Sequence, residues 1–238
     1  MNTIDLGTLN GEVILFGGPY SNLQALEALA GVARTHRIPP GNMIGTGDVA
    51  AYCADAEACV ALIGTLGINV VAGNCERQLA GGADACDCGF DDDSACSALA
   101  RSWYAHASRT LSRGSLDWMA ACPDRIVFRH NGKRYGVVHG AASAVNRFFW
   151  PNAADESLAT EITHFERRSG PVDVVVCGHS GLAFRRVVGG KTWLNAGTIG
   201  MPENDGDRRT RYVLLSGEGI PIRRLDYDHH AASRAMTD

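Results

Sequence analysis

Short apolar segments alternate with longer amphipathic segments along the first third of the chain. Residues 12–17 (EVILFG) form an apolar run that ends in a Gly-Gly-Pro turn, which predicts a strand. Ser21 then predicts the start of a helix, because Ser-Asn-Leu-Gln fits the capping box. Leu23, Leu26 and Ala30 follow at the spacing of one helical face. This part of the chain is therefore predicted to be a strand followed by a helix.

A second strand–helix unit follows, and a third strand comes after it. Residues 43–47 predict a short strand, residues 56–66 a helix and residues 69–73 a third strand, with a loop at 48–55. Strands that alternate with helices in this way indicate a parallel sheet with helices packed outside it.

The pattern changes after residue 79. Residues 79–93 (LAGGADACDCGFDDD) are rich in Gly, Asp and Cys and predict an exposed excursion at about 79–97, followed by a helical segment. Later strands are predicted at 125–129, 134–139, 172–178, 192–195, 211–216 and 220–225, with a helix at 157–168. No repeat or linker interrupts residues 1–238, so we expect a single domain, with a frayed tail after Asp228.

Composition narrows the class of protein. The 238 residues are 45% hydrophobic and 20% charged, which predicts a globular chain. A net charge of −4 argues against a basic nucleic-acid patch. No apolar run approaches the roughly 18 residues of a membrane span, and no signal-peptide pattern opens the chain. We expect a cytoplasmic protein without membrane association. The chain has 8 cysteines. Cysteines of cytoplasmic proteins are more often reduced, catalytic or metal-binding than paired in disulfides.

Four predicted strands end in a glycine next to a polar side chain. These pairs are Gly47-Asp48, Gly73-Asn74, His139-Gly140 and Gly178-His179. Ligands of open α/β sheets bind at the carboxyl ends of strands, so the four polar side chains are expected to meet. One carboxylate, one amide and two imidazoles suit a divalent ion such as Mn, Zn or Fe. One such histidine alone is more often merely hydrogen-bonded, but four strand ends together favour a metal site.

The ordered motifs also resemble a known family. They are Gly47-Asp48, Gly73-Asn74-Cys75-Glu76, His139-Gly140, Gly178-His179 and residues 195–198 (NAGT). In this order they resemble the calcineurin-like metallophosphoesterase superfamily, especially its small prokaryotic phosphodiesterases, from about Val13 to Tyr227. The resemblance implies an α/β fold, the αββα sandwich of that superfamily, in which mixed β-sheets are flanked by helices. It also implies metal-dependent hydrolysis of a phosphate ester.

Members of that superfamily usually hold two metals, which share the aspartate of the second motif. The resemblance assigns one metal to Asp48, Asn74, His139 and His179, all of which this sequence retains. It also implies that Asp48 and His139 are the catalytic residues of the set.

The ligands that belong to the other metal alone are missing. Gly18-Pro19-Tyr20 replaces the Asp-x-His of the first motif, and Gly181 replaces the last histidine. Random loss would not sort itself by metal. We therefore expect one retained divalent ion, with the second site abolished or rebuilt.

Two residues near the missing ligands are candidates for substrate binding. Tyr20 stands at a ligand position, where its phenol could coordinate a metal, bind a phosphate or simply fill the vacated space. Asn22 matches the residue of the family and would bind substrate or stabilise the loop.

Five cysteines fall near the motif loops and are candidate accessory thiols. Cys53 and Cys75 are predicted to lie beside the site, and Cys86, Cys88 and Cys96 follow in the excursion. At this spacing the cysteines could supply thiolate ligands to a soft metal. The sequence lacks the paired Cys-x-x-Cys knuckles of a typical zinc site, so a loop of free or incidentally paired thiols is the simpler interpretation. The predicted core cysteines are Cys59, Cys122 and Cys177.

Three functions remain open at this point. The first is a phosphoesterase, either a phosphodiesterase or a phosphatase, that acts on a small phosphorylated substrate with one metal. The second is a non-catalytic metal-binding or regulatory protein on the same fold. The third is a redox enzyme with a rebuilt thiolate site. Assembly into a homo-oligomer is compatible with each.

Overall fold

Two mixed β-sheets form the centre of the molecule. The structure is a computed structural model that describes residues 2–89, 95–217 and 219–237, and at residues 95–99 it describes only the backbone. The first sheet has the strand order β11-β10-β2-β3-β4. Its strands are β2 (Val13–Phe16), β3 (Met43–Gly45), β4 (Asn69–Val70), β10 (Thr210–Leu215) and β11 (Ile222–Leu225). β2, β3 and β4 run parallel, as predicted, and β10 pairs antiparallel with β2.

The second sheet has six strands in the order β1-β5-β6-β7-β9-β8. Its strands are β1 (Thr3–Thr8), β5 (Arg125–His130), β6 (Lys133–Val137), β7 (Val174–Cys177), β8 (Ala183–Val188) and β9 (Lys191–Ala196). β6, β7 and β9 are parallel neighbours, so the loops after β6 and β7 leave the same end of the sheet.

Helices cover the outer faces of both sheets. They are α1 (Leu23–His36), α2 (Ala56–Leu66), α3 (Asn74–Gly81), α4 (Ala95–Thr110), α5 (Arg113–Ala121), α6 (Asp155–Ser169) and α7 (His229–Ala235), with a short 3₁₀ turn at Pro40–Asn42. One apolar cluster joins the first five helices, α1 to α5, to the smaller sheet. α6 packs on the larger sheet. Within the described ranges, every helix is too short or too polar to pass through a lipid bilayer.

Apolar layers on both sides of the central strands explain why these strands are apolar at nearly every position. Val13 and Leu15 from β2 face Val174 and Val176 from β7 across this layer. The alternate β2 residue, Ile14, packs against the helices instead. Burial on both faces therefore requires a nearly continuous apolar run in each central strand, and these runs allow the sequence to predict both strands.

Several sequence predictions need correction. β1 and β8 were not predicted, because β1 is mostly exposed and β8 mixes buried and exposed positions without an apolar run. α1 begins at Leu23 with Asn22, not Ser21, as its N-cap residue. The tail after Asp228 is not frayed, since Asp228 caps α7 through a hydrogen bond from the Ala231 N–H.

The excursion after residue 79 also differs from the prediction. α3 extends through its first residues, and Cys86 and Cys88 are buried rather than exposed. Residues 90–94 lie outside the described part of the chain, and so does the side chain of Cys96.

Candidate metal centre

The four predicted ligands follow the ends of four different strands. Asp48 follows β3, and Asn74 is the first residue of α3, after β4. His139 follows β6, and His179 follows β7. The two sheets therefore contribute two residues each, and the loops meet at the carboxyl ends of parallel strands.

Unusual backbone conformations direct these side chains inward. Asp48 has φ 56° and His179 has φ 37°, both in the left-handed region that non-glycine residues seldom adopt. Gly47 has φ 94°, and a Cβ there would lie 2.6 Å from the Gly73 nitrogen. Glycine is thus required where the Asp48 loop passes the Asn74 loop. Strained conformations of this kind cluster at functional sites.

The donor atoms of the four side chains converge. His139 Nε2 lies 3.2 Å from Asp48 Oδ2, 3.0 Å from Asn74 Oδ1 and 2.9 Å from His179 Nδ1. The distance from His179 Nδ1 to Asp48 Oδ2 is 3.9 Å. Among the described residues, Asp48, His139 and His179 form a group of donors within 4.8 Å of one another that could hold a metal ion.

Hydrogen bonds outside the cluster determine which atoms face inward. His139 Nδ1 donates to the carbonyl of Thr46, which can only accept, so a neutral His139 presents a lone pair at Nε2. Asn74 Nδ2 donates to the Cys86 carbonyl at 2.9 Å, which leaves Oδ1 toward the cluster. A carboxylate oxygen, an amide oxygen and two imidazole nitrogens that converge in this way form a donor set that fits a divalent ion.

Local electrostatics favour the charge states that a metal needs at Asp48 and His179. Burial opposes ionisation of Asp48, but His139 and His179 hold its pKa well below the ordinary range, so it is a carboxylate. Burial lowers the pKa of His179, which favours neutral imidazole. Burial opposes protonation of His139 as well, but Asp48 raises the pKa of His139 above its ordinary value. An ion at the cluster would therefore compete with a proton on His139.

Comparison with known proteins agrees with this geometry. The model of the calcineurin-like phosphoesterase superfamily domain matches residues 21–218. The chain belongs to the calcineurin-like phosphoesterase superfamily. This membership confirms the resemblance drawn from the motifs, and it makes the four convergent side chains candidates for the metal site of a metal-dependent family.

Solved structures of the superfamily fold share the architecture. A metallophosphoesterase from Sphaerobacter thermophilus aligns with a TM-score of 0.70 and 19% identity, covering 96% of this chain and 94% of its own. A hypothetical protein from Pyrococcus horikoshii aligns with a TM-score of 0.78 and 13% identity, covering 95% and 92%. No protein of curated function shows significant sequence similarity to the chain. At these identities the likeness concerns the fold, and it confirms the predicted αββα sandwich.

Tyr20 fills the side of the site where the superfamily ligands are missing. A Cβ at Gly18 would overlap its ring, and a Cβ at Gly181 would lie 3.8 Å from its hydroxyl. The ring is buried, packs edge-on against Tyr52 with centroids 4.8 Å apart, and has Thr198 beside its hydroxyl. Burial and the nearby Asp48 raise the pKa of Tyr20 well above its ordinary value, so the phenol stays neutral. These contacts favour the space-filling alternative.

Asn22 is fully used by the fold. Its Oδ1 accepts the Ala25 N–H at 3.0 Å and caps α1, while its Nδ2 donates to the Gly200 carbonyl at 2.9 Å. Both polar groups are thus engaged in buried hydrogen bonds, which favours the structural alternative over substrate binding.

Glu76 is a residue of the site to which the motifs assigned no role. It is fully buried, and its carboxylate accepts the backbone N–H groups of Asp48 at 2.8 Å, Val49 at 2.7 Å and Gly73 at 2.8 Å. It therefore ties the Asp48 loop to the start of α3. Its place at the third position of a helix, in the pattern of half a capping box, is the signal that could have found it.

The cysteines do not assemble a thiolate site within the described residues. Cys86 and Cys88 form a disulfide, and Cys53 lies half-buried with its sulfur toward the Gly200 carbonyl. Burial raises the pKa of Cys53 to about 11. Burial and Asp48 also raise the pKa of Cys75 well above its ordinary value. Cys75 and Cys88 flank the Asn74 amide, each with its sulfur 3.6 Å from Nδ2. They thus surround a ligand candidate rather than supply thiolates.

Proposed function

We propose that the protein is a phosphoesterase that acts on a small phosphate ester with one divalent ion, held by Asp48, Asn74, His139 and His179. The observation that carries the proposal is the convergence of one carboxylate oxygen, one amide oxygen and two imidazole nitrogens from two sheets, with contacts of 2.9 to 3.9 Å among them. Membership of a metal-dependent phosphoesterase superfamily supports the chemistry.

The residues around the cluster hold it in a form ready for an ion. The Thr46 carbonyl fixes the tautomer and ring orientation of His139. Glu76 holds the Asp48 loop, and the second carboxylate oxygen of Asp48 accepts the Cys75 N–H at 3.3 Å. A bound divalent ion would supply Lewis acidity toward a phosphoryl oxygen and lower the pKa of a water molecule.

The region where the second metal of the superfamily would bind also supports a single ion. Tyr20 occupies the space beside Gly18 and Gly181 with a neutral phenol and offers no carboxylate or imidazole. The symmetric two-metal clamp on a phosphoryl group is therefore absent from the proposed mechanism. We expect slow turnover relative to dinuclear enzymes, since each ~1.4 kcal/mol of lost transition-state stabilisation costs tenfold in rate.

Metal content and turnover test the proposal together. Protein purified without chelator is expected to hold one equivalent of metal by elemental analysis and to hydrolyse bis(p-nitrophenyl) phosphate with added Mn²⁺. Asp48→Asn should lose the metal and lower turnover by roughly 100-fold or more, because it removes a charged ligand. Asp117→Asn, an exposed aspartate on α5, is the matched control. Two tightly bound equivalents in the wild type, or full turnover in Asp48→Asn, would contradict the proposal.

Burial of the donors favours a second candidate, a protein that holds the ion without hydrolysing an ester. The side chains of Asp48, His139 and His179 are only 6%, 2% and 4% exposed. Phe148 is stacked on His179 at 4.3 Å between ring centroids and covers one face of the imidazole. One bound equivalent, with no turnover of aryl phosphodiesters or monoesters under Mn²⁺, Zn²⁺ or Fe²⁺, would favour this candidate.

A further inference from the structure

The disulfide between Cys86 and Cys88 lies directly against a ligand candidate of the donor cluster. The Cys86 carbonyl accepts a hydrogen bond from Asn74 Nδ2 at 2.9 Å, and Cys88 Sγ lies 3.6 Å from the same nitrogen. A carbonyl oxygen and a disulfide sulfur carry no hydrogen, so both can only accept. They therefore hold the amide nitrogen of Asn74 and leave its Oδ1 facing His139 Nε2 at 3.0 Å.

The same segment also contacts the chain that packs on His179. Asn146 Nδ2 donates to the carbonyl and to the Oδ1 of Asp87, each at 3.2 Å. A Cβ at Gly89 would lie 3.1 Å from the Asn146 carbonyl oxygen and 3.4 Å from the ring of Phe148. Phe148 is in turn stacked on His179. The segment thus touches the surroundings of two ligand candidates, one from each sheet.

The disulfide contributes little to holding the fold together. The stabilisation that a disulfide gives grows with the length of the loop it closes, and Cys86 and Cys88 are only two positions apart. A bond of this kind constrains its own segment rather than the domain. Its contacts with Asn74 therefore point to a local role at the donor cluster.

A cavity gives a small molecule a route to this segment. Cys86 and Cys88 are 5% and 6% exposed, and both line a partly open cavity of about 480 Å³. Cavities of about 300–1,000 Å³ accommodate small-molecule ligands. A small thiol therefore has room to approach the pair.

We propose that Cys86 and Cys88 form a reversible thiol–disulfide site that controls the affinity of the donor cluster for its ion. The co-reactant is a small thiol. Its thiolate attacks one sulfur of the pair, which forms a mixed disulfide and releases the other cysteine as a thiolate that takes up a proton. A second thiol then displaces the first cysteine, so the protein gains two electrons and two protons and the two thiols leave as one disulfide.

Reduction changes what surrounds the Asn74 amide. The segment is no longer closed between residues 86 and 88, and Cys88 gains an S–H donor beside the amide. That donor competes for Oδ1, the oxygen that otherwise faces the donor cluster. Loss of the partner that orients a metal ligand typically costs 10- to 100-fold in metal affinity. The oxidised protein is thus the form that binds the ion tightly.

The Mn²⁺ affinity of the two redox states tests the inference. Titration calorimetry of protein reduced with dithiothreitol, which is then removed under anaerobic conditions, should give a Kd about 10- to 100-fold higher than that of the oxidised protein. The double variant Cys86→Ser, Cys88→Ser should bind like the reduced wild type under both conditions. Cys122→Ser, at a half-buried free cysteine that follows α5, is the control and should keep the full response.

A second measurement uses the wild type alone and does not depend on how the variants fold. Coupling between two equilibria is reciprocal, so saturating Mn²⁺ should oppose reduction by the same factor. In graded glutathione buffers, alkylation followed by mass spectrometry gives the redox state of Cys86 and Cys88. Their midpoint potential should fall by about 30–60 mV when Mn²⁺ is present, which is the 10- to 100-fold change at about 30 mV per tenfold.

Equal Mn²⁺ affinity in the two states, tighter binding by the reduced protein, or a midpoint potential that Mn²⁺ leaves unchanged would overturn the inference. The inference rests on the proposed function for the ion at the donor cluster, but failure of that function has a different signature. Mn²⁺ affinity would then still follow the redox state, whereas no phosphate ester would be hydrolysed in either state. An absence of Mn²⁺ binding in both states would overturn the two together.

Discussion

At the scale of single residues, Tyr20 separates this chain from the two-metal pattern of its superfamily. The motifs predicted that a ligand was missing, because a tyrosine stands where a histidine is usual. They could not predict what became of the space, since the approach of the Tyr20 hydroxyl to Gly181 depends on how two distant segments of the chain meet. Glu76 was missed for a similar reason, because its backbone partners are set by the loop of another strand.

Restoring the missing ligands tests whether the residues at positions 18, 20 and 181 are enough to keep the second metal out. The triple variant Gly18→Asp, Tyr20→His, Gly181→His should bind two equivalents of Mn²⁺, measured by titration calorimetry and elemental analysis. Gly181 has φ 73°, so its substitution should also cost about 1–2 kcal/mol in the free energy of unfolding.

Tyr20→Phe keeps the ring and is the control for that experiment, with one equivalent expected. A folded triple variant that still binds a single equivalent would show that more than these three positions blocks the second site.

At the scale of elements, the sequence predicted the buried strands well and the edge strands poorly. β2 and β7 are buried on both faces, so their apolar runs reveal them. β1 lies at the edge of the larger sheet beside β5 and is mostly exposed, so its side chains do not follow the hydrophobic period that would predict a strand. The same reasoning applies to α7, which is held by its cap rather than by a strong apolar stripe.

The C-terminal end of α6 depends on one carboxylate for its place on the larger sheet. Glu166 accepts hydrogen bonds from Lys191 Nζ at 2.6 Å and from the Val172 N–H at 2.9 Å. Burial opposes ionisation, but these two donors hold the pKa of Glu166 below its ordinary value of 4.5. A pKa that is lower in the folded chain means that the carboxylate stabilises the fold above pH 4.5 and loses this effect as the pH falls through the folded-state pKa.

Glu166→Gln should therefore lower the urea midpoint at pH 7 and reduce its fall between pH 7 and pH 3.5 relative to the wild type. Urea titrations at the two pH values measure both effects. Glu156→Gln, at an exposed position in the first turn of α6, is the control and should behave as wild type. An unchanged pH dependence in Glu166→Gln would show that the ion pair with Lys191 does not act on stability.

At the scale of the whole molecule, the donor cluster lies where the two sheets meet. The smaller sheet leads to Asp48 and Asn74, and the larger sheet leads to His139 and His179. The order of the motifs allowed the sequence to predict this meeting. The single-domain organisation, the homo-oligomer and the cytoplasmic location stay predictions.

An ion that joins both sheets should stabilise the entire fold. Mn²⁺ at about 100 times its Kd should add roughly 2.7 kcal/mol to the free energy of unfolding and raise the Tm by about 5–10 °C, and EDTA should reverse the shift. Thermal unfolding followed by circular dichroism measures the effect. Asp48→Asn and His179→Ala, one from each sheet, should both abolish it. A shift that survives in either variant would place the stabilising ion elsewhere.

The same division of the donors between two sheets has a consequence during synthesis. The four ligand candidates span residues 48 to 179, and His179 follows β7, which pairs with β9 at residues 191–196. A nascent chain that has exposed only its first half has two of the four donors and no second sheet to bring the others. The emerging polypeptide therefore has no complete binding site for the ion until His179 has left the ribosome.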